Sequence, residues 1–177
     1  SNPLVMYLAT NINLYKTING GFNWSVISRP SGVSMSYLSL SVSYTDENIL
    51  WLTSKNNGSN NKVFTTTNGG LSWINLTTAT INPYSFLVIN HQAGTDGGVY
   101  ISSRDLAKVF YRNNSMSDWV DLSSNLPKGY RPLSTKPFYK KSKLRTAGNR
   151  GVWELDFYET SSLIVQPTVD KLESFCI

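Results

Sequence analysis

Two stretches of this chain decide its fold: Leu14-Tyr15-Lys16-Thr17-Ile18-Asn19-Gly20-Gly21-Phe22-Asn23-Trp24 and Val63-Phe64-Thr65-Thr66-Thr67-Asn68-Gly69-Gly70-Leu71-Ser72-Trp73. Both read apolar, aromatic, x, Thr, x, Asn, Gly, Gly, x, polar, Trp. They lie 49 residues apart, and a third, worn copy runs from Val109 to Trp119, its tryptophan 46 residues further on. In the third copy only the apolar pair, Asn114 and Trp119 survive, and Arg112 stands in the threonine position. The first half of each unit alternates as a strand. Asn-Gly-Gly then makes a tight turn, with the Asn side chain accepting turn amide protons and glycine taking positive φ without strain. The tryptophan opens the return strand. A turn-and-tryptophan hairpin recurring every 45 to 50 residues has the period of a β-propeller blade.

Two further strands fit upstream of each later unit. Tyr37 to Tyr44 and Ile49 to Ser54 precede the second, and Ser85 to Asn90 and Gly98 to Ser103 precede the third. Before the first there is room for one, near Leu4 to Thr10. After the third come Leu133 to Lys140, Lys143 to Ala147 and Gly151 to Phe157. All are rich in Val, Ile, Leu, Thr, Tyr and Ser, as strands are. The expected architecture is all-β: a propeller segment of about three and a half four-stranded blades, its strands grouped three, four, four and three, with both ends falling inside a blade. Such ends leave backbone edges open to pairing. Tyr7 and Leu8, and Val152 and Trp153, are therefore expected beside other strands, from remaining blades of a parent protein or from other chains. Trp24 and Trp73 are expected to be buried at the hairpin roots.

Composition supports this reading. The 177 residues suffice for one domain with a real core. Aromatics are spread evenly, and Ser, Thr and Asn are abundant, so neither disorder nor a helical protein fits. The formal net charge of +5 is concentrated in one run from Lys136 to Arg145. Without a broad basic face or a recognisable module, nucleic acid is not an expected partner. Cys176 has no partner in the chain, which excludes internal disulfides and cysteine zinc sites. No apolar run is long enough to insert in a membrane. No metal or other cofactor is expected.

Thr17-x-Asn19-x-Gly21-x-x-Trp24 and Thr66-x-Asn68-x-Gly70-x-x-Trp73 resemble Asp boxes, Ser/Thr-x-Asp-x-Gly-x-x-Trp, with Asn in place of Asp. Asp boxes (BNR repeats) occur in sialidases, xyloglucan-hydrolysing propellers and sortilin-type receptors. The resemblance implies a structural role for these residues, and for Asn114 and Trp119 in the worn copy. Leu144 to Glu154 resembles the closing blade of large secreted propeller proteins of Bacteroidetes-type bacteria. Pro167 to Cys176 resembles the start of a PKD module. That likeness implies residues 1–160 as propeller, 161–177 as a linker leading into the PKD-like module, and export to the cell surface.

No catalytic set emerges. The arginines form no recognisable sialidase triad, and the acids Asp46, Asp96, Asp105, Glu154, Asp156 and Glu159 lie in turns and strand edges. His91 is the only histidine and reads as structural. The run containing Lys136, Lys140, Lys141, Lys143 and Arg145, with Phe138 and Tyr139 among them, is a candidate dock for an anionic glycan. Sequons such as Asn23-Trp24-Ser25 and Asn57-Gly58-Ser59 are expected by chance in so Asn-rich a chain. The expected function is a non-catalytic scaffold, adhesin or polymer-binding segment. The alternative is a piece of a glycoside hydrolase whose active site lies mostly in blades not present here.

Overall fold

The computed structural model describes residues 2–33, 36–55, 61–85, 88–103 and 107–159. The PKD-like tail, Cys176, Arg104, Asp105 and the sequon at Asn57 lie outside these residues. Fourteen strands are described, in four antiparallel sheets of three, four, four and three strands. The first sheet holds β1 (Met6–Ala9), β2 (Leu14–Thr17) and β3 (Ser25–Ile27). The second holds β4 (Ser39–Val42), β5 (Leu50–Thr53), β6 (Val63–Thr66) and β7 (Ile74–Asn75). The third holds β8 (Val88–His91), β9 (Val99–Ser103), β10 (Lys108–Arg112) and β11 (Val120–Asp121). The fourth holds β12 (Pro132–Phe138), β13 (Lys143–Gly148) and β14 (Gly151–Asp156). Each sheet is a meander in chain order, because its connections are hairpin turns too short for any crossover.

The sheets stack face to face, and burial records it. Every residue of β5 and of β9 is buried. A strand covered on one face only would alternate. The second and third sheets are therefore covered on both faces. By contrast, β1 has no buried residue and β14 has only Leu155. Between the second and third sheets Trp51, Val63, Ile81, Ile89, Val99, Ile101, Phe110 and Trp119 form one core cluster. Between the third and fourth lies a second, containing Tyr100, Val109, Tyr111, Leu144, Leu155 and Phe157. A third, with Leu14, Leu52 and Phe64, joins the first sheet to the second.

Where the leading strands meet, small polar residues replace large apolar ones. Ser39 Oγ accepts the Ile89 N–H at 3.2 Å, and Ser41 Oγ accepts the His91 N–H at 3.0 Å. The Thr135 hydroxyl donates to Ser102 Oγ at 3.0 Å. Backbones approach closely at such points, and a hydroxyl both fits there and satisfies an amide otherwise buried without a partner.

Candidate functional site

The Thr-Asn turns are built as their sequence demands, with threonine taking a larger part than expected. Thr17 and Thr66 are buried. The Thr66 hydroxyl donates to Asn68 Oδ1 at 2.8 Å and accepts the Gly70 and Asn68 amide protons at 3.1 and 3.3 Å. Asn68 Oδ1 in turn accepts the Ser72 N–H at 3.0 Å. Thr17 and Asn19 repeat the pattern, down to the 3.0 Å bond from the Asn23 N–H. Gly69 and Gly70 have φ of 68° and 89°, and Gly20 and Gly21 have 68° and 95°. At Gly70 a Cβ would also stand 2.6 Å from Ile27 Cδ1 of the preceding sheet.

The worn copy does not reproduce this lock. Arg112 has no hydroxyl to offer the turn, and Asn113, not Asn114, caps it by accepting the Ser115 N–H at 3.0 Å. The Asn114 amide instead donates to Asp96 Oδ1 at 2.8 Å.

The tryptophans show what their burial depends on. Trp73 Nε1–H donates to the Ser28 carbonyl and Trp119 Nε1–H to the Leu76 carbonyl, both at 2.9 Å and both one residue past the last strand of the preceding sheet. Trp119 is 4% exposed and Trp73 is half-buried, but Trp24 is 40% exposed. The expectation that Trp24 and Trp73 are buried is therefore corrected: Trp24 is exposed and Trp73 is buried only in part. The Trp24 indole belongs to the first sheet, and no described sheet precedes it to supply the covering surface and the acceptor.

The basic run is neutralised in part by the strand beside it. Lys143 pairs with Asp156 at 2.5 Å and Arg145 with Glu154 at 2.7 Å, both across the β13–β14 register. Arg145 also lies 3.4 Å from the centroid of the Phe138 ring. Lys136, Lys140 and Lys141 are exposed. Of the five expected anion-binding cations, two are thus already engaged with carboxylates.

Several other acids are engaged in the same way. Asp46 caps its own turn through the Asn48 N–H at 2.8 Å. Asp118 accepts hydrogen bonds from Thr78 and Thr80 at 2.5 and 2.6 Å, which hold its carboxyl below the usual range. Glu154 is held low by Arg145. Asp121 is paired with Lys108, and Asn113 donates to Glu159. Tyr111 approaches Glu159. Burial first, and then the Glu159 charge, push its phenol well above the ordinary tyrosine range. That direction keeps the phenol protonated, which is opposite to what an oxygen nucleophile requires.

The second and third sheets enclose a cleft of about 460 Å³. Its floor is a stack of Trp51 on His91, ring centroids 4.7 Å apart and 18° from parallel. His91 Nδ1–H donates to the Gly98 carbonyl at 2.9 Å, which fixes the neutral tautomer. Burial lowers the His91 pKa, so the ring is uncharged at neutral pH. Ile49, Ile74 and Leu76 form an apolar wall, and Arg112 and Asp96 bring opposite charges to the rim. Sequence reasoning did not find this cleft. Arg112 in a threonine position was its one visible sign, and it reads equally well as a solvated turn.

No protein-family model and no curated protein sequence matches the chain. Solved structures do. The chain is similar to YCF48 bound to D1 peptide, with 16% identity and a TM-score of 0.61 over 88% of this chain and 49% of that one. It is similar to the GH74 enzyme of Niastella koreensis, with 16% identity and a TM-score of 0.63 over 86% of this chain and 26% of that one. It is also similar to an auxiliary nutrient binding protein of Bacteroides thetaiotaomicron, with 14% identity and a TM-score of 0.61 over 83% of this chain and 33% of that one. The chain is a β-propeller. It spans half or less of the length of each of these structures.

The four sheets are thus blades. Met6 pairs with Thr17 in the first blade as Leu50 pairs with Thr66 in the second, so β1 corresponds to β5. The edge of β5 is taken by β4, while no described strand lies along the matching edge of β1. Likewise β6 and β10 carry the outer strands β7 and β11, and no described strand takes that place beside β14. Leu8 and Val152 on these two strands stay exposed. Among the described residues no helix is long and apolar enough to cross a membrane.

Proposed function

We propose that this chain is a non-catalytic binding and scaffold segment of a larger, exported surface propeller, its turns serving as Asp boxes in which Asn does the work of Asp. The engagement of five acids in turns, hydrogen bonds and ion pairs carries this reading. A glycosidase of the common type needs two facing carboxyls, one of them raised so that it can donate a proton. Here Asp46, Asp118, Asp121, Glu154 and Asp156 are spent on turns and ion pairs. The half-exposed Trp24, together with the β1 and β14 edges, supports further blades of a parent protein, or other chains, as partners. The tail from Ser161 is then the linker into a PKD-like module, with Cys176 paired beyond it.

Likeness to GH74 propellers favours a second reading, in which the catalytic blades of a glycoside hydrolase lie outside this chain. Incubation with xyloglucan, sialyllactose and insoluble polysaccharides separates the two. Retention on a polymer with no released sugar is expected. Turnover that disappears when one acid is changed to its amide overturns the first reading.

A further inference from the structure

The cleft between the second and third blades carries one positive and one negative group that the protein does not pair with each other. Arg112 forms no ion pair within 4 Å among the described residues. Its nearest electrostatic partner, Asp118, is occupied by Thr78 and Thr80. Asp96 has one oxygen held by Asn114 Nδ2 at 2.8 Å, and its second oxygen accepts no hydrogen bond among the described residues. The Asn114 N–H also bonds the Asp96 carbonyl at 3.0 Å. Asp96 is thereby tied to Asn114, two residues after Arg112 in the chain, and both charges line the same cleft.

His91 adds no charge, so the cleft is close to neutral. A simple anion gains little from such a field, because Asp96 offsets Arg112. A dipolar ligand gains from both ends. The wall of Ile49, Ile74 and Leu76 calls for an aliphatic body. Trp51 is too deeply buried to offer a sugar a stacking face. The volume lies within the usual range for small-molecule pockets, about 300–1,000 Å³.

We infer that this cleft binds a free aliphatic α-amino acid as its zwitterion, carboxylate on Arg112, ammonium on Asp96 and side chain against Ile74 and Leu76. The inference deepens the reading of the chain as a binding module, and its ligand is distinct from any polymer the surface retains.

The test is a titration of the whole chain with L-leucine, N-acetyl-L-leucine, L-leucinamide and glycine, followed by NMR of the tryptophan indole and Arg112 signals. Leucine is expected to produce saturable shifts. Removing the ammonium by acetylation or the carboxylate by amidation should each weaken binding by about tenfold or more, the scale of one charge-assisted hydrogen bond. Glycine should be weaker by a similar factor, for want of apolar contact. R112Q and D96N should each lose leucine affinity while keeping the parent urea midpoint. Because the ligand series uses the unaltered protein, a variant that fails to fold does not blunt the test. No saturable shift with leucine up to about 10 mM, a very weak limit on the affinity scale, overturns the inference. Equal binding of leucine and N-acetyl-leucine overturns it too. Polymer retention is scored separately, so either result can fail alone.

Discussion

Replacing Trp119 by alanine should be among the most destabilising single changes in this chain, and the same change at Trp24 should do little. The two tryptophans occupy the same place in the repeat, and the better-locked turn is the one before Trp24, so turn chemistry alone would favour Trp24. They differ in what lies behind them. Trp119 is 4% exposed, packs in the cluster of Trp51, Val63, Ile81, Ile89, Val99, Ile101 and Phe110, and donates to the Leu76 carbonyl. Truncating a buried tryptophan costs about 3–5 kcal/mol. Trp24 is 40% exposed, with no described blade behind it. Partial burial against its own turn predicts a loss of about 1 kcal/mol or less. Urea unfolding with a slope of about 2 kcal/mol/M turns this into midpoint shifts of about 2 M and at most about 0.5 M. Trp119→Phe should recover most of the loss and leave about 1 kcal/mol for the missing indole hydrogen bond. Equal shifts for the two alanine variants in the isolated chain would refute the argument that the neighbouring blade, not the turn, sets the value of this tryptophan.

Three further outcomes are expected. Thr66→Val removes the hydroxyl that serves two amide protons and Asn68, and should cost about 1–3 kcal/mol by the same unfolding assay. Gly70→Ala should be worse than Gly21→Ala. Both sites have positive φ, but only at Gly70 does the added carbon stand 2.6 Å from Ile27 of the neighbouring blade. Finally, burial lowers the His91 pKa, so the unfolded chain takes up that proton first as pH falls. Stability should hold at neutral pH and decline as pH drops below about 6.5. The decline should be smaller in His91→Gln, as measured by unfolding across pH 5 to 8.

The blade strands were legible because every link was local. Repeating Thr-x-Asn-x-Gly-x-x-Trp marked the outer hairpins, and alternating Val, Ile, Leu and Tyr between turn residues marked the rest. Strand ends drifted where the chain curves: Tyr37 has a φ of 52° and stands outside β4, and Tyr139 to Lys141 form a 3₁₀ turn rather than the end of β12. The relations between blades were not legible. That a tryptophan's burial depends on the carbonyl of Ser28 or Leu76, some 45 residues earlier in the chain, cannot be read from the repeat itself. The pairing of two cations in the basic run was hidden for the same reason. Its sequence showed cations, and only the β13–β14 pairing brought Asp156 and Glu154 beside Lys143 and Arg145.

The worn repeat connects these points. In the first two copies Thr and Gly close the turn on itself, and its polar groups are spent internally. In the third, Arg112 replaces Thr and Ser115-Met116 replaces Gly-Gly, so the threonine lock is lost and only the Asn113 cap remains. Asn113 and Asn114 then bond outward, to Glu159 and Asp96. The turn keeps the Asn113 cap on Ser115 but gains ties to its surroundings, and a guanidinium is left beside the apolar cluster between the second and third blades. Burial opposes the charge of this cation, which among the described residues only the carboxylate of Asp118 offsets. The departure from the repeat and the interblade cleft therefore coincide, and Arg112→Thr with Ser115→Gly and Met116→Gly tests the connection. If the turn was given up for binding, that triple variant should regain the turn lock, offsetting the packing that Met116 loses against the Tyr100 cluster, and lose response to leucine. A less stable protein that still responds to leucine would show that the worn turn is drift and not exchange.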